Sequence, residues 1–145
     1  MIEISNDRAR MDVDTIHRYL SEESYWGKGI PREVVERAIA NSLCFGASEK
    51  GAEVGFTRVI TDFATFAYIA DVFVLPSHRG RGTSKQIMQA VRSHPELQGL
   101  RRWHLVSRDA HGLYAQFGFA PLESPERHMA LVVKNAYPPL SAARM

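Results

Sequence analysis

The spacing of apolar residues changes several times along this chain, and each change marks an element. Ile69 to Leu75 is apolar apart from Asp71 and rich in β-branched and aromatic side chains, the signature of a buried strand. Pro76 ends it. Ser77 to Gly82 holds two glycines and two arginines, a short loop. From Thr83 the period becomes helical, with Ile87, Met88 and Val91 on one face. The order is buried strand, Gly/Arg loop, helix.

The remaining pattern is read the same way. Ile2 to Ser5 is a short strand. Asp12 or Asp14 caps a helix carrying Ile16, Tyr19 and Leu20, which frays near Ser21 to Ser24. Ser24 to Gly29 is a loop, and Pro31 opens a second helix with Val34, Val35, Ala38 and Ile39 in a stripe. Leu43 to Ala47 and Glu53 to Thr61 form a hairpin about Glu49, Lys50 and Gly51. Asp62 to Thr65 turns into the buried strand. Beyond the loop and helix, Trp103 to Ser107 is another strand, and Asp109 caps a helix with Leu113, Tyr114 and Phe117 that stops at Gly118. Phe119 to Leu122 and Met129 to Val133 are expected to close the sheet, followed by an irregular tail over 135–145. This succession predicts one α+β domain over 1–145 with a mixed sheet.

Composition narrows the class. The chain has 145 residues, 45% hydrophobic and 23% charged, with net charge +2. That suits one globular domain with a real core. So small a charge gives no support for a nucleic-acid partner, and no apolar run approaches membrane-spanning length. The single Cys44 excludes an intrachain disulfide and a multi-cysteine metal site. The six histidines show no ligand spacing, so no metal is expected. The N-terminus carries Glu3, Asp7 and Arg8 instead of a signal-peptide pattern; a cytoplasmic protein is the expectation.

The strand–loop–helix order has a chemical use. The first N–H groups of a helix lack partners inside it, and its dipole places partial positive charge there. Glycines let the backbone approach a ligand closely. Arg79, Arg81 and Lys85 add full charges. The stretch is either a pyrophosphate-sized anion site or a basic turn. Neither GxGxxG nor GxxxxGK[ST] is matched. What is matched is Arg-x-x-Gly-x-small, as Arg79-Gly80-Arg81-Gly82-Thr83-Ser84, five residues after Val74.

This stretch resembles the acetyl-CoA signature of the GNAT-family N-acetyltransferases, with Ser84 where Gly or Ala is usual. A second stretch, Asp109 to Phe119, resembles that family's N-x-x-A-x-x-x-Y-x-x-x-G-F region, with Asp109 in place of Asn and Gly112 in place of Ala. The resemblance extends to the element order over most of the chain. It implies the GNAT fold: a mixed, mostly antiparallel central sheet with helices on both faces. It implies acetyl transfer from acetyl-CoA to a primary amine, small or peptide-borne, in a ternary complex. A homodimer is compatible with such folds.

The resemblance also assigns roles. The backbone N–H of Val72 would meet the acetyl carbonyl and Val74 would pair with pantetheine, while Arg79, Gly80, Arg81, Gly82, Thr83 and Ser84 would hold the pyrophosphate. Tyr114 would protonate the departing thiolate; a plain packing role also accounts for it. Asp109 would touch the cofactor, although capping explains it fully. Asp71, a lone carboxylate in an apolar strand, is either paired or functional; it is the candidate acceptor of the amine proton. The segment between the first two helices walls the acceptor pocket in this fold, which points to Tyr25 and Trp26, with an anchoring role on the core as the alternative for Trp26. An acyl-CoA-binding module without catalysis is the rival from another class, because it needs the loop but neither Tyr114 nor Asp71.

Overall fold

The computed structural model describes residues 1–137; the tail expected over 135–145 lies, from 138 onward, outside the described residues. The strands are β1 (Ile2–Ser5), β2 (Leu43–Glu49), β3 (Ala52–Thr61), β4 (Phe66–Val74) and β5 (Arg102–Leu105). The helices are α1 (Val13–Arg18), α2 (Arg32–Ala40), α3 (Thr83–Ser93) and α4 (His111–Ala115). The strands lie side by side in chain order, antiparallel except for the parallel pair β4–β5. The fold is α+β with a mixed sheet, as the element order predicts.

Alternation along the strands feeds two cores, one on each face. On one face Phe45, Val59, Ile69 and Val74 pack with Ile87, Met88 and Val91 of α3. On the other, Cys44, Phe56 and Phe73 pack with Ile16 of α1, Tyr19, Leu20, and Val35 and Ile39 of α2. Each of the fully buried α3 side chains contributes roughly 1.5–3 kcal/mol of burial.

Local chemistry accounts for the ends and turns. Asp12, not Asp14, caps α1: its carboxylate accepts from Thr15 N–H and Thr15 O–H. The helix does not fray at Ser21 but widens into a π-helical turn over Tyr19–Glu23. The β2–β3 hairpin closes on Lys50 and Gly51, both at positive φ (52° and 81°), the two-residue turn whose twist suits antiparallel strands. Asp62 accepts from Ala64, Thr65 and Phe66 N–H, which starts β4 three residues before Ile69.

Two expectations fail. Neither Phe119 to Leu122 nor Met129 to Val133 is a strand. Pro121 removes a ladder donor from the first, and a 3₁₀ turn over Pro125–Arg127 separates the two. The second belongs to no strand, so among the described residues β5 is the sheet edge.

Candidate active site

The site begins with an irregularity in β4. Across β3–β4, Phe56 pairs with Phe73 but Arg58 pairs with Ala70, so Thr57 stands opposite two residues, Asp71 and Val72. That is a β-bulge. Asp71 takes φ of 56°, a left-handed conformation that Asp tolerates better than most residues. The bulge is underpinned by buried Thr57, whose hydroxyl donates to Ala70 C=O at 3.0 Å. On the other flank, β5 pairs with β4 only from Phe66 to Ile69. Beyond Ile69 the two strands part. Val72 and Val74 therefore border an open cleft, where the sequence places the donor's edge.

The loop after β4 lies at the mouth of this cleft. Gly80 and Gly82 have φ of 78° and 77°, which glycine alone takes without cost. Gly82 precedes α3 directly, and the N–H groups of Thr83, Ser84 and Lys85 have no partners within the helix. Arg79 makes two contacts within the protein that the spacing did not suggest. Its Nε donates to Val74 C=O at 3.0 Å and its Nη2 to Tyr19 Oη at 2.8 Å. The guanidinium braces the loop against β4, while Arg81 and Lys85 remain exposed. Thr83 is 2% exposed and its hydroxyl lacks a hydrogen-bond partner among the described residues. Thr83 contributes to the cavity wall, but its hydroxyl itself is closed off from the cavity surface.

α4 is shorter than the pattern predicts and is not capped by Asp109. Ser107 Oγ accepts from Ala110 N–H at 2.9 Å, and Ala110 occupies the cap position. Asp109 instead stands exposed beside the cleft, 3.8 Å from Arg108. Tyr114, one turn before Gly118, is 7% exposed. Burial first, then the neighbouring Tyr25 and Asp109, push its hydroxyl up to about 12, so it stays protonated near neutral pH.

Two cavities meet here. One, about 510 Å³, runs from Val72 and Val74 along Arg79–Ser84 to Tyr114. The other, about 450 Å³, lies between α1, α2 and the β4–β5 cleft. Both include Tyr25, Trp26, Val72, Asp109, Ala110 and Tyr114. The structure thus gathers the predicted residues around one junction, with the glycines and basic residues at one end.

The second cavity is walled by Leu20, Ile30, Val34, Val35 and Ile39, with polar groups from Arg58, Tyr68, Asp71, Ser107 and Asp109 facing them. Asp71 is held at its margin by two donors: Trp26 Nε1–H to Oδ1 at 2.8 Å and Arg58 Nε–H to Oδ2 at 2.8 Å. Arg58 also donates to Ser42 Oγ at 3.2 Å. Asp71 is therefore paired, with capacity for a further donor, since a carboxylate offers about four lone-pair sites. Tyr25 packs edge-on against Trp26 at 5.0 Å. One face of its ring is taken by the Arg108 guanidinium at 4.0 Å, and its Oη accepts from Arg108 N–H at 3.2 Å. Sequence reasoning missed Thr57, Arg58 and Arg108. Arg58, a charge at an inward position of an apolar strand, was the one available signal.

Residues 40–121 match the acetyltransferase (GNAT) domain family model. The chain belongs to the GNAT family of acetyltransferases. A Gibberella zeae protein assigned to the acetyltransferases is 32% identical over 135 residues, covering 78% of this chain and 75% of that one. A crystal structure of a GNAT-family protein from Xanthomonas campestris pv. campestris superposes with TM-score 0.93 at 52% identity, over 96% of this chain and 98% of that one. A Streptococcus pneumoniae GNAT-family acetyltransferase shares the fold at TM-score 0.68 and 20% identity, over 94% and 98% of the two chains. In this GNAT acetyltransferase no helix among the described residues is long and apolar enough to cross a membrane.

Proposed function

We propose that this GNAT acetyltransferase moves the acetyl group of acetyl-CoA onto a primary amine, by direct attack while both are bound. The observation that carries the proposal is the junction: a buried, protonated tyrosine stands where a cavity with a glycine loop meets a mostly apolar cavity bordered by a carboxylate. Acetyl-CoA supplies an activated thioester. The N–H groups opening α3 and exposed Arg81 bind its diphosphate. Val74 pairs with the pantetheine arm along the open flank of β4. Val72 N–H donates to the thioester oxygen as negative charge grows there. Tyr114 gives its proton to the sulfur as the carbon–sulfur bond breaks. Asp71 attracts the ammonium and takes up the amine proton, directly or through water. Cys44, 1% exposed and pushed up to about 11 by burial, is not a nucleophile.

The acceptor cavity favours an amine carried on a compact, largely apolar body. Its walls come from Leu20, Ile30, Val34, Val35 and Ile39, with Tyr25 and Trp26 at the junction.

Thermal unfolding with saturating acetyl-CoA tests the donor, with dephospho-CoA and ATP as controls. At about 100 times the dissociation constant, binding adds about 2.7 kcal/mol. A clear rise in Tm, smaller with ATP, is expected. A folded protein with no rise would end the proposal. Binding without turnover on any amine screened would turn the reading toward an acyl-CoA-binding module.

A further inference from the structure

The two donors to Asp71 stand on different supports. Arg58 belongs to β3, the middle strand of the sheet. Its side chain is 18% exposed, and its Nε–H donates to Oδ2 at 2.8 Å. A second bond, to Ser42 Oγ at 3.2 Å, fixes the guanidinium further. Trp26 stands on the loop between α1 and α2 and is 42% exposed; its Nε1–H donates to Oδ1 at 2.8 Å. One donor is charged and built into the sheet. The other is neutral and at the surface. A charge-assisted hydrogen bond is roughly twice as strong as a neutral one, so the indole is the donor that gives way.

The main chain of the loop need not move when it does. Buried Ser24 donates to Leu20 C=O at 2.7 Å and accepts from Gly27 N–H at 2.9 Å. Gly29 N–H donates to Ser21 C=O and Ile30 N–H to Gly27 C=O, both at 3.0 Å. The neighbouring Tyr25 ring is held by Arg108. Trp26 is flanked by these anchors, so the mobile part is the indole itself, by rotation between side-chain rotamers.

Trp26 also borders both cavities. It meets Asp71 where the proposed thioester meets its attacker. A thioester carbon is open to water as well as to an amine. Water is a neutral donor, like the indole, and exchanging one neutral hydrogen bond for another gains little. An ammonium ion brings a full charge and gains by the exchange.

We infer that Trp26 is a positioning residue that reserves Asp71 for a cationic acceptor: its indole occupies the carboxylate at the junction until an ammonium replaces it, and in doing so suppresses hydrolysis of the donor. This role rests on the proposed reaction and adds to it a means of choosing amine over water. Without the indole the hydrolytic step is open. The water oxygen bonds to the thioester carbon while Asp71 takes one water proton. The carbon–sulfur bond breaks and Tyr114 gives its proton to the sulfur. The proton on Asp71 then returns to Tyr114, leaving acetic acid and the free thiol.

Release of free thiol from acetyl-CoA, with no amine present, tests the inference and needs no identified acceptor. The wild type is expected to hydrolyse acetyl-CoA slowly. Trp26→Phe keeps an aromatic ring and loses the N–H. It is expected to hydrolyse acetyl-CoA at least about tenfold faster, a part of the roughly 10²–10⁴ that a general base supplies. In the double variant Trp26→Phe with Asp71→Asn the gain is expected to vanish. Loosened packing alone does not depend on the Asp71 carboxylate, so the double variant separates positioning from packing. An unchanged or slower rate in Trp26→Phe overturns the inference. A gain that survives Asp71→Asn overturns it as well, because the indole would then be a plain barrier to water. Trp26→Leu takes the same test if the phenylalanine variant fails to fold. The acetyl-CoA Tm shift keeps two failures apart. A shift in wild type and variant with flat hydrolysis sinks this role and leaves the proposed function standing; no shift in the folded wild type removes both.

Discussion

The two cavities that meet at Tyr114 are built from different material. The one reaching the Arg79–Ser84 loop is mostly backbone: two glycines at positive φ, the first N–H groups of α3, and the open flank of β4. The one under α1 and α2 is mostly side chain: a stripe from each helix, two aromatics, and a carboxylate fixed by an arginine and an indole. On the proposed reading, backbone donors would recognise what every substrate pair shares, a phosphorylated donor, and side chains would set what differs, the acceptor. Substitutions under the helices are then expected to spare donor binding, and those in the loop to spare the acceptor wall.

The largest expected effect is at Arg58. Arg58→Met leaves Asp71, 13% exposed, with Trp26 alone; breaking a fully buried pair costs about 3–5 kcal/mol, and this part-buried one is expected at the low end of that range. The urea midpoint reads this loss, and the acetyl-CoA Tm shift should survive in the folded fraction. Loss of both together would mean the two cavities are not separable.

Next is Glu53 on β3, 8% exposed, whose carboxylate accepts from Asp12 N–H at the start of α1. Burial raises it from 4.5 to about 7. A carboxyl raised on folding favours the native state while protonated. Its contribution is intact below about pH 4.5 and falls as pH rises through 7, by up to about 3 kcal/mol. Tm is expected to decline across that window in the wild type and much less in Glu53→Gln. An identical pH profile in the two would remove Glu53 from the account. Because Glu53 anchors α1, the acceptor wall should loosen first.

Tyr114→Phe acts at the junction and should leave both cavities intact. Turnover is expected to fall about 100-fold with acetyl-CoA affinity retained. An unchanged kcat would take Tyr114 out of the chemistry. The smallest effect is at the loop. Gly82→Ala meets no neighbour within 4 Å, so its cost is the positive φ alone, roughly 1–2 kcal/mol. Acetyl-CoA binding should weaken about tenfold while KM for the amine holds. Equal losses for both substrates would erase the distinction drawn here.

This division also explains what could be read from the sequence. The loop is local: six consecutive residues between a strand and a helix define it, so its form was legible, while the donor role came from the resemblance to the GNAT signature and stands as a proposal. The acceptor side depends on contacts between distant residues. Arg58 meets Asp71 across a bulge, and Arg108 meets Tyr25 across 83 positions; no periodicity carries such pairings. The contacts of Arg79 with Val74 and Tyr19 were not legible either, because charge in a phosphate-like loop reads the same whatever else it touches. Asp109 lost its cap to Ser107, two residues earlier, a competition that composition does not settle. The Met129–Val133 run has the residues of a strand but joins no ladder, because pairing is not a property of the run itself.

The brace made by Arg79 has a consequence for ionic strength. With that guanidinium committed to Val74 and Tyr19, the loop's outward charges are Arg81 and Lys85. Exposed charges act through solvent, over about 8 Å at physiological salt. Hydrogen bonds from the amides that open α3 act only on contact and are hardly screened. Added salt should therefore slow the donor's arrival and leave its residence time nearly unchanged.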